Sequence, residues 1–228
     1  FDSYLTYLNT QLQPPDHRPA PVAAKRAVTI SRQSGCGSHV LAEKLAGYLQ
    51  ARTPPGEPPW TIFDRNLMEE VLAEHHLPAH IAKYMPEDRV TEIADIMDEL
   101  FGLRPASWAL VEQTAETILH LAEVGNVILL GRGANLVTAK SPGVVHVRLI
   151  APLETRVAHM QQFEELSRPA AAARVRREDL GRRRYINKYF QKDVDDPLLY
   201  HLVINTDSVP LETAARLIGE LVLRPTAA

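Results

Sequence analysis

The stretch Ala27-Val-Thr-Ile-Ser-Arg-Gln-Ser-Gly-Cys-Gly-Ser-His-Val-Leu-Ala-Glu-Lys-Leu-Ala46 decides the fold of this chain. Its β-branched start, Val28, Thr29 and Ile30, predicts a buried strand, and the apolar spacing that begins at Val40 predicts a helix. Between them lies a loop of small residues, 34–38, whose glycines let the backbone approach an anion. A strand, a glycine loop and a helix N-terminus in this order predict a phosphate-binding loop. The alternative is a tight turn without a ligand.

The loop departs from the Walker A pattern G-x-x-x-x-G-K-[ST]. In an alignment on Gly37, Arg32 takes the place of the first glycine and Ser38 that of the lysine. Val40 takes the place of the magnesium-binding hydroxyl. Arg32 either supplies the cation that the loop lacks or is a solvated surface arginine. Cys36 is either a reactive thiol whose pKa the loop N–H groups lower, or a small residue that fits the turn.

Apolar strands alternate with helical patterns along the chain and predict an α/β fold, a three-layer sandwich around a parallel sheet. Further strands are expected at 60–63, 126–130, 144–150 and 201–205, and further helices at 66–125 (with interruptions at prolines), 153–162, 164–192 and 211–223. Ligands of such sheets bind at the carboxyl ends of the strands. The glycine loop lies at such an end, and so do three other groups of polar residues.

These three groups are Asp64, Arg132 between two glycines, and the turn Asn205-Thr-Asp207. Asp64 either holds Mg²⁺ through water, orients an acceptor hydroxyl, or caps the helix predicted after it. Arg132 either grips a phosphate or belongs to a simple turn.

A run of basic residues is the second strong signal. Eight of the 25 lysines and arginines fall within 19 positions: Arg174, Arg176, Arg177, Arg182, Arg183, Arg184, Lys188 and Lys192. Only Glu178 and Asp179 oppose them. The run is a solvated helix face, a nucleic-acid surface, or a flap that closes over polyphosphate and excludes water. The phosphate loop and the net negative charge favour the flap.

Composition limits the other functions. The chain has 228 residues, a formal net charge of −3 and one cysteine, so neither an intramolecular disulfide nor a cysteine-built zinc site is expected. The nine histidines form no metal-binding motif, and no structural metal is expected. No apolar run approaches the roughly 18 residues of a membrane span. We expect a soluble cytoplasmic protein that binds neither a membrane nor nucleic acid.

Three stretches resemble the cytidylate-kinase-like family, relatives of bacterial cytidylate kinase within the nucleoside monophosphate kinases. They are Thr29-Ile-Ser-Arg-Gln-Ser-Gly-Cys-Gly-Ser38, Val127-Ile-Leu-Leu-Gly-Arg-Gly-Ala-Asn135, and Asp179-Leu-Gly-Arg-Arg-Arg-Tyr-Ile-Asn-Lys-Tyr-Phe190 continuing to 207. The similarity covers about residues 26–222. The resemblance implies a P-loop kinase fold in which the absent lysine is a family trait. The serine and arginine with which bacterial cytidylate kinase reads cytosine have no counterpart after Asp64, so the acceptor's base is left open.

The residue pattern and the resemblance together predict a division of the chain. Apolar spacing followed by prolines predicts an N-terminal helix and a proline-rich linker in residues 1–25. The resemblance implies a kinase-like domain over 26–222, and 223–228 would be a tail. Within the domain, 66–124 include a helical acceptor-binding region, 164–192 form the lid, and the loop that begins at Asn205 touches the adenine of ATP. The sequence leaves open whether the chain forms a homodimer.

We therefore hypothesise an ATP-dependent kinase whose acceptor is a small nucleotide, in particular a CMP-like nucleoside monophosphate. ATP would be bound by the residues Ser34, Gly35, Cys36, Gly37, Ser38, His39, Asn205, Thr206 and Asp207. Catalysis would use Mg²⁺ near Asp64 and the residues Arg32, Asp64, Arg132, Arg177, Asp179, Arg182 and Arg183. The alternatives are a nucleotide-binding regulatory module without turnover and a kinase of a different small metabolite.

Overall fold

The computed structural model describes residues 25–64 and 106–224. Its five strands are β1 (Ala27–Arg32), β2 (Thr61–Phe63), β3 (Val127–Leu130), β4 (Val144–Ile150) and β5 (Leu202–Asn205). They form one parallel sheet in the order β2-β3-β1-β4-β5. The helices are α1 (Ser38–Gln50), α2 (Ala106–Val124), α3 (Ala134–Val137), α4 (Leu153–Glu164), α5 (Arg168–Phe190) and α6 (Leu211–Leu223), with a 3-10 turn at Pro197–Leu199.

Two apolar cores lie on opposite faces of the sheet. On one face, Val28 and Ile30 of β1 pack against Leu41 and Leu45 of α1 and against Ile218 of α6. On the other face, β1, β2 and β3 pack against α2 and α3 through a second cluster of Ala27, Phe63, Ile118, Val127 and Leu129. Burial of each large side chain contributes about 1.5–3 kcal/mol. The three-layer α/β sandwich predicted from the sequence is confirmed.

The second face becomes polar toward β4, because β1 alternates apolar and hydroxyl side chains. Thr29 hydrogen-bonds the Nδ1 atom of His146 at 2.9 Å, and Ser31 accepts a hydrogen bond from the Nη1 atom of Arg148 at 2.8 Å. Both partners lie on β4 and are buried. This strand was predicted from the sequence, but neither His146 nor Arg148 was singled out.

The basic segment predicted at 164–192 is interrupted. α4 extends to Glu164, two residues beyond its predicted end, and Glu165 then adopts a left-handed conformation with φ 53°. α5 starts at Arg168, with Pro169 in its first turn, and runs to Phe190. Most of the segment is therefore one continuous helix, α5, which forms the second arm of a helical hairpin with α4.

Several expectations fall outside the described residues. They concern the N-terminal helix and nearly all of its linker, residues 66–105 of the acceptor-binding region, and residues 225–228 of the tail. The part of that region that is described, Ala106–Val124, is the helix α2. In the described part of the chain, no helix combines the length and the apolar character needed to cross a membrane.

Candidate functional site

The glycine loop leads directly from β1 into α1. Gly35 and Gly37 have φ values of 83° and 73°, a left-handed conformation that glycine adopts without strain. A Cβ atom at Gly35 would lie 2.5 Å from the carbonyl oxygen of Arg156. Gly37 is the N-cap of α1, and no side chain of the described residues caps it. Because the first N–H groups of a helix have no partner within it, this end of α1 can accept an anion.

Acidic residues of α5 contact this loop. The backbone N–H of Ser34 donates to Asp179 Oδ1 at 2.7 Å, and the Ser34 hydroxyl donates to Glu178 Oε2 at 2.6 Å. Burial by itself would raise the pKa of Glu178. Hydrogen bonds from Ser34 and Arg174 and the charge of Arg182 outweigh this effect and hold the pKa below its usual value. The Glu178 carboxylate is therefore ionised next to the loop at neutral pH.

Arg156 of α4 joins the loop to α5. Its Nη1 atom donates to Asp179 Oδ2 at 2.5 Å and to the Ser34 carbonyl oxygen at 3.2 Å, and its Nε atom donates to the Ala151 carbonyl oxygen at 2.9 Å. The residue is 7% exposed. Arg156 was not predicted from the sequence, because it lies outside the basic run. Glu178 was predicted only as an opposing charge within that run.

The third strand brings two predicted arginines together. Gly131, Arg132 and Gly133 follow β3 and all have positive φ values. The guanidinium of Arg32 packs so closely on Gly131 that a Cβ atom there would lie 2.0 Å from Arg32 Nη1. Arg132 is 9% exposed, and both arginines line a cleft that also includes Arg182.

The arginines of the predicted lid have different environments. Arg182 donates to Glu178 at 3.1 Å and to Asp179 at 3.3 Å. Arg183 donates to Asp195 Oδ2 at 2.8 Å, and this hydrogen bond raises the pKa of Arg183 above its usual value. Arg177 is exposed. The structure thus joins Arg182 to the loop through Glu178 and Asp179. It joins Arg183 to Arg148 of β4 through Asp195, and it leaves Arg177 exposed on α5.

Asp64 lies at the end of β2, on the same edge of the sheet as the loop. Its Oδ2 atom is 3.9 Å from Nδ1 of His39, a residue of the first turn of α1. Among the described residues, no group of three or more metal-binding side chains occurs. A single carboxylate beside a phosphate loop fits Mg²⁺, which proteins often bind through one or two carboxylates together with substrate phosphates.

The turn after β5 reaches this edge as well. Asn205 is the register partner of Ile150, and the Thr206 N–H donates to the Ile150 carbonyl oxygen at 2.9 Å. Asp207 accepts a hydrogen bond from the Thr155 hydroxyl at 2.7 Å, which ties the turn to α4. The three residues predicted to contact the nucleotide are therefore held at the end of the sheet by α4 and β4.

Cys36 lies between the two loop glycines and is 1% exposed. Burial raises the pKa of its thiol to about 11, although the nearby charge of Arg156 and a hydrogen bond from Thr206 act in the opposite direction. A thiol with this pKa is almost entirely protonated at neutral pH. Of the two interpretations of Cys36, the structure favours the small residue that fits the turn.

The model of the cytidylate kinase-like family matches residues 27–208. The chain belongs to this family. A segment of 119 residues, 52% of the chain, is 33% identical to part of a uronate isomerase from Corynebacterium glutamicum. The chain spans only 23% of the length of that protein. Membership of a kinase-like family supports a phosphotransferase and leaves the acceptor unspecified.

Solved structures share the fold at low sequence identity. An uncharacterized protein from Eubacterium ventriosum is similar with a TM-score of 0.64 and 19% identity, over 87% of this chain and 98% of the other. A shikimate kinase from Bacteroides thetaiotaomicron is similar with a TM-score of 0.48 and 12% identity, over 87% of this chain and 99% of the other. At 19% identity, the likeness to the Eubacterium ventriosum protein concerns the fold alone.

Proposed function

We propose that the chain catalyses phosphoryl transfer from ATP to a small phosphorylated acceptor, in particular a nucleoside monophosphate of the CMP type. The observation that carries this proposal is the N-terminus of α1, which follows the N-cap residue Gly37 and has no side-chain cap among the described residues. Two arginines, Arg32 and Arg132, lie at the same edge of the sheet and line one cleft. Phosphate on backbone N–H groups, with cations beside it, is the arrangement that phosphoryl transfer requires.

In this mechanism the loop, residues 34–39, binds the β- and γ-phosphates of the donor through backbone N–H groups. Arg32 and Arg132 neutralise the charge that develops on the transferred group, in place of the Walker lysine. The turn that begins at Asn205 flanks the adenine. When bound, Mg²⁺ supplies further charge neutralisation, and Asp64 would hold it. Because phosphoryl transfer needs little covalent help, positioning and charge neutralisation account for most of the catalysis.

A nucleotide-binding regulatory module without turnover is the second candidate. Ser38 stands where a Walker A loop has its lysine, and Ser34 is hydrogen-bonded to Glu178 and Asp179. A donor phosphate has to compete with these carboxylates at the loop. This observation favours binding that is weak or regulated. Both candidate functions are compatible with the cytoplasmic location that the composition leads us to expect.

A coupled assay that detects ADP tests the proposal, with ATP and a panel of nucleoside monophosphates. We expect turnover with at least one of them. Arg32→Ala should weaken ATP binding without acceptor by about tenfold to 150-fold, because a charge-assisted contact contributes roughly 1.5–3 kcal/mol. Arg176→Ala removes an exposed arginine of α5 and serves as the matched control.

Calorimetric measurement of nucleotide binding distinguishes the kinase from the regulatory module. ATP binding without turnover on any acceptor would select the regulatory module. A chain that binds neither ATP nor ADP would overturn both candidates. If Arg32→Ala retains the ATP affinity of the parent, Arg32 does not replace the lysine, and Arg182 and Arg183 of α5 become the better candidates for that role.

A further inference from the structure

The orientation of its peptide groups decides whether the phosphate loop, residues 34–39, can bind an anion. The N–H groups of Gly35, Gly37 and Ser38 donate to no other group of the described residues. Such N–H groups attract phosphate oxygens, whereas a carbonyl oxygen in the same place repels them. A contact that holds the loop carbonyls in one direction therefore also sets the anion affinity of the loop.

Gly35 makes this orientation easy to lose. Its φ is 83°, and a glycine reaches positive and negative φ values about equally readily. The peptide groups next to it can therefore rotate at little steric cost. Since a peptide group is planar and trans, its C=O and the N–H that follows point in opposite directions. A rotation of the peptide between Gly35 and Cys36 would put the Gly35 carbonyl oxygen where the Cys36 N–H now lies.

Two side chains of α4 hold successive carbonyl groups of the loop. The Nη1 atom of Arg156 donates to the Ser34 carbonyl oxygen at 3.2 Å. The Nδ1 atom of His159 lies 2.9 Å from the Gly35 carbonyl oxygen and donates to it, because a carbonyl oxygen can only accept. The two side chains lie on the same face of α4, since residues at i and i+3 of a helix are neighbours. α4 thus fixes two neighbouring peptide groups of the loop.

The two side chains differ in their other contacts. Arg156 also donates to Asp179 and to the Ala151 carbonyl oxygen, so it is held in place independently of the loop. His159 is partly exposed, and within the described part of the chain its ring makes only the hydrogen bond to Gly35. A substitution of His159 therefore removes one contact of the loop and leaves those of Arg156 intact.

We propose that His159 is a positioning residue of the phosphate loop. Its Nδ1–H holds the Gly35 carbonyl oxygen on the α4 side and so keeps the Cys36 N–H in its place. That N–H closes the turn with a long hydrogen bond of 3.4 Å to the Gln33 carbonyl oxygen. The inference rests on the proposed function for the identity of the anion, which is the phosphate chain of ATP. His159 acts through the backbone and not as a catalytic residue.

Titration calorimetry with ATP and without acceptor tests this role. His159→Leu removes the donor and keeps a side chain of similar bulk. We expect it to weaken ATP binding by about threefold to tenfold, because the apparent affinity falls with the fraction of molecules whose loop is competent to bind. His159→Asn places an amide N–H at the same number of bonds from the backbone as Nδ1 of histidine. It should restore the affinity to within about twofold of the parent.

The order of the two variants separates positioning from helix stability. Leucine is a better helix former than asparagine, so an effect through the stability of α4 would favour His159→Leu. Positioning of the loop favours His159→Asn. Gln162→Leu places a leucine at an exposed position of the same helix and should retain the parental ATP affinity. Urea unfolding without nucleotide shows whether each variant is folded.

The state of the loop without nucleotide is the second readout. Hydrogen exchange at the Cys36 amide, measured by NMR, should be faster in His159→Leu than in the parent and close to parental in His159→Asn. Weaker ATP binding in His159→Leu with unchanged exchange at Cys36 would mean that His159 contacts the nucleotide itself. That result would overturn the positioning role.

Parental ATP affinity in a folded His159→Leu protein would overturn the role of His159 alone, and so would a His159→Asn protein that binds as weakly as His159→Leu. If His159→Leu does not fold, His159→Gln replaces it, because its amide lies one bond farther from the backbone. Equal affinities of the glutamine and asparagine variants would then contradict the role. A parent that binds ATP but phosphorylates no acceptor would reject the kinase activity and leave the role of His159 standing. A parent that binds neither ATP nor ADP would overturn both proposals.

Discussion

Gly35 is the residue on which the geometry of the loop depends most directly. It combines a φ of 83° with a position where any Cβ atom would meet the Arg156 carbonyl oxygen at 2.5 Å. That oxygen belongs to the backbone of α4 and cannot rotate away. The contact also explains why His159 reaches the loop: its Nδ1 atom lies 2.9 Å from the Gly35 carbonyl oxygen. Gly35 therefore fixes how closely α4 approaches the phosphate loop.

The substitution Gly35→Ala should destabilise the protein by at least about 1–3 kcal/mol, the usual cost of a non-glycine residue in a strained conformation. Gly47 in α1 is the matched control, because nothing lies within 4 Å of a Cβ atom there and its φ is not in the left-handed region. Gly47→Ala should stabilise by about 0.5–1 kcal/mol, since alanine is the better helix former. Urea unfolding measures both; equal effects of the two substitutions would contradict this geometry.

At the scale of elements, α5 is held at three places along its 23 residues. Near its start, Ala171 and Val175 pack against Val157 and Met160 of α4. Near its end, a second apolar cluster packs Tyr185 and Ile186 against Val194. Between these clusters, the acidic pair at 178 and 179 meets the phosphate loop. The polar centre of α5 thus depends on charged contacts, whereas its two ends depend on apolar burial.

We expect Asp179→Asn to loosen the centre of α5. The substitution removes the charge that faces Arg156 and leaves a buried guanidinium without its counter-ion, at a cost of about 1–3 kcal/mol. Hydrogen exchange across 168–190 should become faster, most of all around 176–183. Glu165→Gln removes an exposed carboxylate from the same hairpin and serves as the control. Unchanged exchange in the Asp179→Asn protein would show that the apolar clusters alone position α5.

At the scale of the whole molecule, the two faces of the sheet differ in character. One face is closed by apolar contacts with α1 and α6. The other carries buried polar side chains where β1 meets β4, including the bond between Thr29 and His146 and the contact of the His146 N–H with His201 Nδ1 at 2.8 Å. Burial, and secondarily the charge of His201, lowers the pKa of His146 from 6.5 to about 4. The folded protein therefore keeps His146 neutral.

This depressed pKa predicts a loss of stability in mild acid. Below pH 6.5 the unfolded chain binds a proton at His146 that the folded protein does not bind until about pH 4. The stabilisation is therefore present above pH 6.5 and is lost as the pH falls toward 4, by about 2 kcal/mol between pH 7 and pH 5. Urea unfolding at the two pH values should show this loss in the parent and not in His146→Gln.

The acidic groups of the site do not account for a loss of stability between pH 7 and pH 5. The pKa values of Glu178 and Asp195 are lowered from 4.5 and 3.8, so their contributions are lost only below this range. An equal drop in stability for the parent and for His146→Gln would contradict the prediction.

The sequence by itself determined the order of elements and the edge of the sheet at which the candidate site lies. The β-branched run at 28–30, the glycine loop and the apolar spacing of α1 are local patterns, and each one specifies a conformation within about ten residues. These patterns also placed Asp64, Arg132 and the turn at Asn205 at strand ends. The family followed from the same patterns, because its motifs are contiguous in the chain.

Only the tertiary structure decided which side chains meet at the site. Ser34 and Asp179 are 145 positions apart, and Arg148 and Asp195 are 47 apart. The charge run predicted arginines over the loop, whereas the fold turns Glu178 and Asp179 toward it, because the hairpin of α4 and α5 fixes which face of α5 is buried. Arg148 was missed because it lies within a strand, whereas functional residues were expected at the ends of strands. The contact of Arg148 with Ser31 depends on β4 lying beside β1. The packing of the sheet decides which strands are neighbours, and no local sequence pattern specifies this order.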